Sequence, residues 1–154
     1  MRRAVLPCLA LVLAGCGEAV KDDHFAADRN QVAPAAPPEP LTQPAVPVRI
    51  GELGASFDAC GTAGTTRNLQ PGATLPARAA PFDTAAAAGA IPAGARFFIC
   101  TRSHDQRWLG VVWNDLGTLG AECGVSSPVT SRRDYAGPCR SGWVPSAFVK
   151  LIAG

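Results

Sequence analysis

The sequence predicts an all-β domain, a small barrel, that follows a long disordered N-terminal tether. The 154 residues are rich in Ala, Gly and Pro, and the large apolar side chains that build a core cluster in the second half. There they form short runs of strand residues separated by Gly, Pro, Ser and Asp. No window shows a helical 3.6-residue period bounded by caps. Closing such strands into a barrel would also remove their exposed edges.

The first fifteen residues have the pattern of an export signal. Two arginines precede an apolar stretch, residues 4–13, which is too short to span a bilayer because about 20 residues are needed. The run Leu13-Ala14-Gly15-Cys16 that ends it resembles the bacterial lipobox. The resemblance implies that residues 1–15 are a signal peptide and that Cys16 becomes the new N-terminus, carrying a diacylglycerol thioether. A membrane is therefore the first expected partner.

The lipid anchor also indicates a compartment. Two or three acyl chains hold a protein firmly at a membrane, whereas one chain binds only marginally. Gly17 follows the cysteine, where an aspartate would favour inner-membrane retention in the enterobacterial sorting pattern. We therefore expect a lipoprotein of the cell envelope that faces the periplasm, at the outer rather than the inner membrane.

Processing would leave the mature chain electrically neutral. The 14 basic residues include Arg2 and Arg3, so their removal leaves 12 basic residues against 12 acidic ones, all beyond Cys16. Nucleic-acid affinity depends on the neutralisation of many phosphates. The charge balance therefore predicts no nucleic-acid partner.

Four cysteines remain for the folded chain after Cys8 and Cys16 are set aside: Cys60, Cys100, Cys123 and Cys139. An even number in an exported chain predicts two disulfides. No two of them have the short spacing of paired zinc ligands, so no metal is expected. Four cysteines allow three pairings. We favour Cys123 with Cys139, which closes a loop, and Cys60 with Cys100, which ties an N-terminal extension to a strand.

Two segments precede the predicted domain. Residues 16–49 carry mixed charges and then many Pro and Ala residues with no apolar period, which is typical of a disordered linker. The proline density favours a semi-rigid polyproline spacer, and the alternative is a ligand for a polyproline-binding groove. Residues 50–73 are Gly-rich and mostly polar, and we expect them to form an N-terminal extension of the domain at residues 74–154.

A set of short motifs follows in order along the second half of the chain: Leu75-Pro76-Ala77-Arg78, Ile91-Pro92-Ala93-Gly94, residues 108–112, Gly142-Trp143-Val144 and Phe148-Val149. These landmarks resemble those of the bacterial SH3 (SH3b) family, which implies an SH3-like barrel. The resemblance covers roughly residues 74–152, and Ala80 departs from it because the family usually has Gly there.

A long insert is the main departure from the SH3b pattern. Residues 115–140 stand where the family has a tight turn between its third and fourth strands. Cys123 and Cys139 lie in this stretch, so we expect an insert stapled by a disulfide. It is either a recognition loop or an elaboration that only needed a staple.

The residues present do not make up a catalytic site. His104 is the single histidine of the domain, and Ser103, His104 and Asp105 are consecutive, a spacing that cannot form a triad. The cysteines are better used as disulfides than as nucleophiles. We therefore predict a protein that is not an enzyme and needs no cofactor.

Aromatic rings beside arginines suit sugar rings and extended peptides. At least two of the three tryptophans must fill so small a core, which leaves few rings for recognition. Peptidoglycan, especially its peptide stems, is the ligand class that the SH3b resemblance implies. The candidate contacts are Tyr135, Arg132, Arg133, Arg140 and Trp108.

The sequence thus favours a monomeric, non-catalytic envelope lipoprotein whose SH3b-like module recognises a cell-wall peptide or glycan. Two alternatives stay open. The module is a protein-interaction or inhibitor domain that docks an envelope enzyme through the insert, or it is a structural spacer with no specific ligand.

Overall fold

The computed structural model describes residues 43–152, so the predicted signal peptide, Cys16 and most of the linker lie outside the described residues. This part of the chain has nine strands, two short 3-10 turns (Ala121–Cys123 and Ser146–Phe148) and no α-helix. No helix within it is long and apolar enough to cross a membrane. The strands are β1 (Arg49–Ile50), β2 (Thr62–Thr66), β3 (Thr74–Arg78), β4 (Ala87–Pro92), β5 (Arg96–Arg102), β6 (Trp108–Trp113), β7 (Arg133–Asp134), β8 (Arg140–Pro145) and β9 (Val149–Ile152).

Seven strands form one sheet in the order β4-β3-β8-β6-β5-β2-β9, and β1 pairs with β7 in a separate two-stranded sheet. All pairings are antiparallel, which confirms the prediction of a β-rich fold. Strand β3 joins β8 through a single residue pair, Arg78 with Trp143. Within residues 43–152 no backbone pairing links the edge strands β4 and β9. The hydrogen-bonded sheet of these residues is therefore open, and the closed barrel that we expected from the sequence is not formed by their backbone pairing.

Both faces of the central strand β6 are buried. Successive side chains of a strand point to opposite faces, so they contribute to two separate cores. On β6, Leu109, Val111 and Trp113 belong to one core, whereas Trp108 and Val112 belong to the other. All six residues of β6 are buried, as in strands that are covered on both sides. We call the first the inner core and the second the outer core.

The outer core is covered by two segments outside the seven-stranded sheet. Val48 and Ile50 come from the segment that leads into β1, and Cys123 and Val125 come from the insert. All four are at most 3% exposed. The insert therefore closes one side of the molecule by burying apolar surface.

Residues 50–73, which we expected to form an N-terminal extension of the domain, supply the sheet with β2, between β5 and the edge strand β9. Strand β2 pairs with β5 on one side and with β9 on the other. It carries small residues because its neighbours fill the space: a Cβ atom at Gly64 would lie 2.9 Å from Ile99 Cδ1 and 3.0 Å from Phe97 Cε2.

The last residues of the expected linker also belong to the fold. The Val46 amide donates to the Ala79 carbonyl at 2.8 Å, and the Trp143 indole N–H donates to the Val46 carbonyl at 2.6 Å. Val48 is 2% exposed, and its carbonyl accepts from the Tyr135 amide at 2.8 Å. The folded chain therefore begins before residue 50.

Two disulfides join Cys60 to Cys100 and Cys123 to Cys139, the pairing that we favoured from the sequence. The first spans 40 residues and links the segment between β1 and β2 to β5. The second spans 16 residues within the insert. In the chain-entropy model each contributes roughly 3 to 4 kcal/mol to stability. Two disulfides indicate an oxidising compartment outside the cytoplasm.

Candidate functional site

Tyr135, a predicted ligand contact, is held by the backbone of the insert. Its hydroxyl donates to the Cys123 carbonyl at 3.0 Å and accepts from the Cys139 amide at 3.0 Å, so it bridges the two ends of the disulfide-closed loop. The ring also packs against the outer core. Burial raises the pKa of the phenol, although the hydrogen bond from Cys139 opposes this. Tyr135 is therefore half-buried, and its hydroxyl already has two hydrogen-bond partners within the insert.

Two of the predicted arginines of the insert form exposed ion pairs. Arg132 Nη1 lies 3.4 Å from Glu52 Oε2, and Arg140 Nε lies 2.8 Å from Asp115 Oδ1. Exposed pairs of this kind contribute about 0 to 1 kcal/mol. Arg133 lies on β7 and is exposed.

The structure does not bring the five predicted contacts together. Trp108 pairs with Pro145 at one end of the β6–β8 ladder, and Trp113 pairs with Arg140 at the other end. Trp108 and Trp113 are five steps apart along the strand, a distance of about 17 Å. Trp108 thus belongs to a different surface from Arg140.

A groove at the Trp108 end has the side chains of a recognition surface. Two adjoining depressions of about 230 and 220 Å³ both have Asp83, Trp108 and Pro145 in their walls. We call them together the Trp108 groove. Its lining is Leu69, Leu75, Pro76, Arg78, Asp83, Arg107, Trp108, Pro145, Ser146, Ala147 and Phe148.

The turn between β5 and β6 fixes Trp108 at the wall of this groove. The Trp108 amide donates to the Ser103 hydroxyl at 3.0 Å, and the Ser103 amide donates to the Trp108 carbonyl at 2.9 Å. Asp105 accepts from the Ser103 hydroxyl and from the Arg107 amide. The Ser103 bond is the main reason that the pKa of Asp105 is lowered. Trp108 therefore follows a turn whose polar groups are held by hydrogen bonds.

The 3-10 turn after β8 presents Phe148 to solvent. The Ser146 amide donates to the Arg107 carbonyl at 2.8 Å, and the Arg67 amide donates to the Phe148 carbonyl at 2.9 Å. Although the turn is tied at both ends, Phe148 is 37% exposed. A large ring exposed on an anchored turn adds contact area at a low entropic cost.

The groove combines an apolar floor with charged walls. Leu75 and Trp108 are buried beneath it, and Pro76 and Phe148 stand exposed at its sides. Arg78, Arg107 and Asp83 supply the charges. Such a surface can hold an extended ligand by stacking and by hydrogen bonds to guanidinium groups.

A second cleft, of about 320 Å³, lies beside the Cys60–Cys100 disulfide. Leu53 and Glu52 are part of its wall, but no aromatic side chain lines it. Leu53 and the nearby Phe57 are 59% and 58% exposed. This cleft is larger than either half of the Trp108 groove, but it lacks the rings and prolines that suit peptide or sugar recognition.

One cluster has the residue types of a metal site. A carboxylate oxygen of Glu122 and the sulfur atoms of Cys123 and Cys139 lie within 4.8 Å of one another. The two sulfur atoms are bonded to each other, whereas metal binding by cysteine requires thiolates. The cluster does not form a metal centre in this state.

Of the predicted contacts, Trp108 lies in this groove, but the sequence analysis did not propose the residues that face it. Pro145, Ser146 and Ala147 lie between the fold landmarks Gly142-Trp143-Val144 and Phe148-Val149, and with Phe148 they supply one wall of the groove. Comparison of the chain with known protein families, with curated proteins and with solved structures gives no match.

Proposed function

We propose that this protein is a non-catalytic recognition module of the cell envelope that binds peptidoglycan at the Trp108 groove. The observation that carries the proposal is the exposed Phe148 ring beside Trp108 and Pro145, in a groove whose walls are anchored by backbone hydrogen bonds. Rings and prolines give up little conformational freedom on binding, so they suit an extended peptide or a glycan.

We propose further that the domain has the strand arrangement of the SH3b family, in a sheet that stays open. Three features support this. Strand β5 is shared between the partners β2 and β6, the last strand returns to β2, and a 3-10 turn separates β8 from β9. The last feature stands where the SH3b resemblance expects a helical turn.

The envelope location is the second part of the proposal. The lipobox-like run at Cys16 supports a lipid anchor, and Gly17 supports the outer membrane. The two disulfides agree with export. The module would then work from a membrane, within reach of the wall.

Co-sedimentation with purified peptidoglycan sacculi tests the function. Phe148→Ser is expected to weaken retention by about tenfold or more, because one central aromatic contact commonly contributes 1.4 kcal/mol or more. Leu151→Ser is the matched control, since Leu151 is 53% exposed on β9 and does not line the groove. Failure of the wild-type chain to sediment, or equal retention of both variants, would contradict the proposal.

Docking to an envelope protein remains the second candidate. The observation in its favour is the pair of exposed apolar side chains Leu53 and Phe57. They sit on a loop tied to the insert by the Ala59 amide, which donates to the Ser127 carbonyl at 3.0 Å. If sacculi do not retain the chain, Phe57→Ser should abolish capture of an envelope enzyme that Phe148→Ser leaves intact.

A further inference from the structure

We propose that the Trp108 groove recognises carboxylates on the peptide stems of the wall, with Arg107 and Arg78 as their partners. This inference rests on the function proposed above and names the part of the wall that is bound. The ligand is an extended peptide that carries carboxylates, rather than the glycan strand, which offers mainly hydroxyl and amide groups.

The first argument is the charge of the groove. Arg78 and Arg107 both line it, whereas Asp83 is the single acidic side chain in its lining. Within residues 43–152 the ion pairs are made by other arginines, namely Arg49, Arg132 and Arg140. The two guanidinium groups of the groove therefore have no carboxylate within ion-pair distance in this part of the chain.

Arg78 is positioned for a bidentate contact. One of its terminal nitrogens, Nη1, donates to the Ala85 carbonyl at 3.3 Å, and the side chain is half-buried at the end of β3. This bond leaves other N–H groups of the planar fork for a ligand. Arginine matches a carboxylate with two parallel hydrogen bonds, so a held guanidinium loses less entropy on binding.

Arg107 lines the other half of the groove, next to Trp108, and is exposed. Its backbone is fixed, because its amide donates to Asp105 at 3.1 Å and its carbonyl accepts from the Ser146 amide. The charge of Arg107 contributes to lowering the pKa of Asp105. Within residues 43–152 the Arg107 side chain makes no ion pair with that carboxylate or with another one, so it can serve a ligand.

A third cation lies at the rim. Arg67 Nε donates to the Ala147 carbonyl at 2.9 Å, beside the turn that presents Phe148. The apolar floor between these cations suits small aliphatic side chains. The groove thus fits a short peptide that alternates carboxylates with small apolar residues, which is the chemistry of wall stems.

The experiment compares native sacculi with sacculi whose carboxylates have been converted to neutral methylamides. The wild-type chain should lose about tenfold or more of its binding to the amidated material, which corresponds to 1.4 kcal/mol. Arg107→Gln should cause a similar loss on native sacculi. The matched control Arg96→Gln, at an exposed arginine on β5 outside the groove, should bind as the wild type does.

Equal binding of native and amidated sacculi, or wild-type binding by Arg107→Gln, would overturn the carboxylate proposal and leave the wall-binding function standing. Absence of binding to native sacculi would overturn both. Salt supplies an independent readout, because exposed charge contacts are screened. Raising the ionic strength should weaken wild-type binding more than Arg107→Gln binding, whereas parallel salt curves would count against the proposal.

Discussion

Tyr135 has a structural role that its sequence context does not reveal, and the ligand contact predicted for it stays a prediction. Its ring is aromatic, lies among arginines and sits in a loop, all of which are typical of ligand contacts. In the structure its hydroxyl joins the Cys123 carbonyl to the Cys139 amide. The spacing of residues along a loop does not reveal which side of the ring faces the core.

The raised pKa of Tyr135 predicts a pH dependence of stability. Since the folded state favours the neutral phenol, the unfolded chain releases the proton first as pH rises through about 10. The stabilising effect is therefore present below that pH and is lost as pH rises toward the folded-state pKa. In urea unfolding between pH 8 and 11, Tyr135→Phe should show a shallower alkaline loss than the wild type. Identical slopes would contradict this.

Among the strands, the sequence predicts β5 and β6 but misses β2, whose side chains are small. Residues 95–101 and 108–113 are recognisable because both faces are buried, so large apolar side chains run continuously. Strand β2 has the sequence TAGTT, which reads as a polar extension. Its place in the sheet depends on Ile99, Phe97 and Val149 filling the space above Gly64, a fact that only the folded neighbours supply.

Gly64→Val should therefore destabilise the domain although valine favours strands. Its side chain would meet Ile99, Phe97 and Val149 within 3.0 Å already at Cβ. Overpacking of this kind costs about 1 to 3 kcal/mol. Urea unfolding is the measurement, with Thr62→Val as the control on the same strand, where the change should stay within about 0.5 kcal/mol. A Gly64→Val chain as stable as the wild type would show that β2 is loosely packed.

At the scale of the described chain, residues 43–152, the fold is one open sheet with a cover on its outer core. The cover is made by Val48 at the end of the predicted linker, Ile50 at the start of the predicted extension, and Cys123 and Val125 of the predicted insert. The groove was not predictable as a unit, because its walls come from β3, the start of β6 and the turn after β8. Only the pairing of β6 with β8 brings Trp108 to Pro145.

The cover should be required for stability. A chain that begins at residue 43 should unfold like the full chain, whereas one that begins at residue 50 loses the buried Val48 and three hydrogen bonds, which join Val46 to Ala79 and to Trp143, and Val48 to Tyr135. The lost burial of one valine and the three lost hydrogen bonds together predict a decrease of about 3 to 7 kcal/mol in the free energy of unfolding. Equal urea midpoints for the two truncated chains would show that the cover contributes nothing.

The Cys60–Cys100 disulfide has a mechanical consequence. A pulling force applied to the chain ahead of Val46 first meets the Val46 hydrogen bonds and then the β1–β7 pair. Peeling the chain as far as Cys60 would release about 50 Å of slack. There the load passes through a covalent bond into β5, so β2, β3 and β4 are bypassed. A module held through its N-terminal segment would then extend by this length under load, while the strands that carry its groove stayed paired.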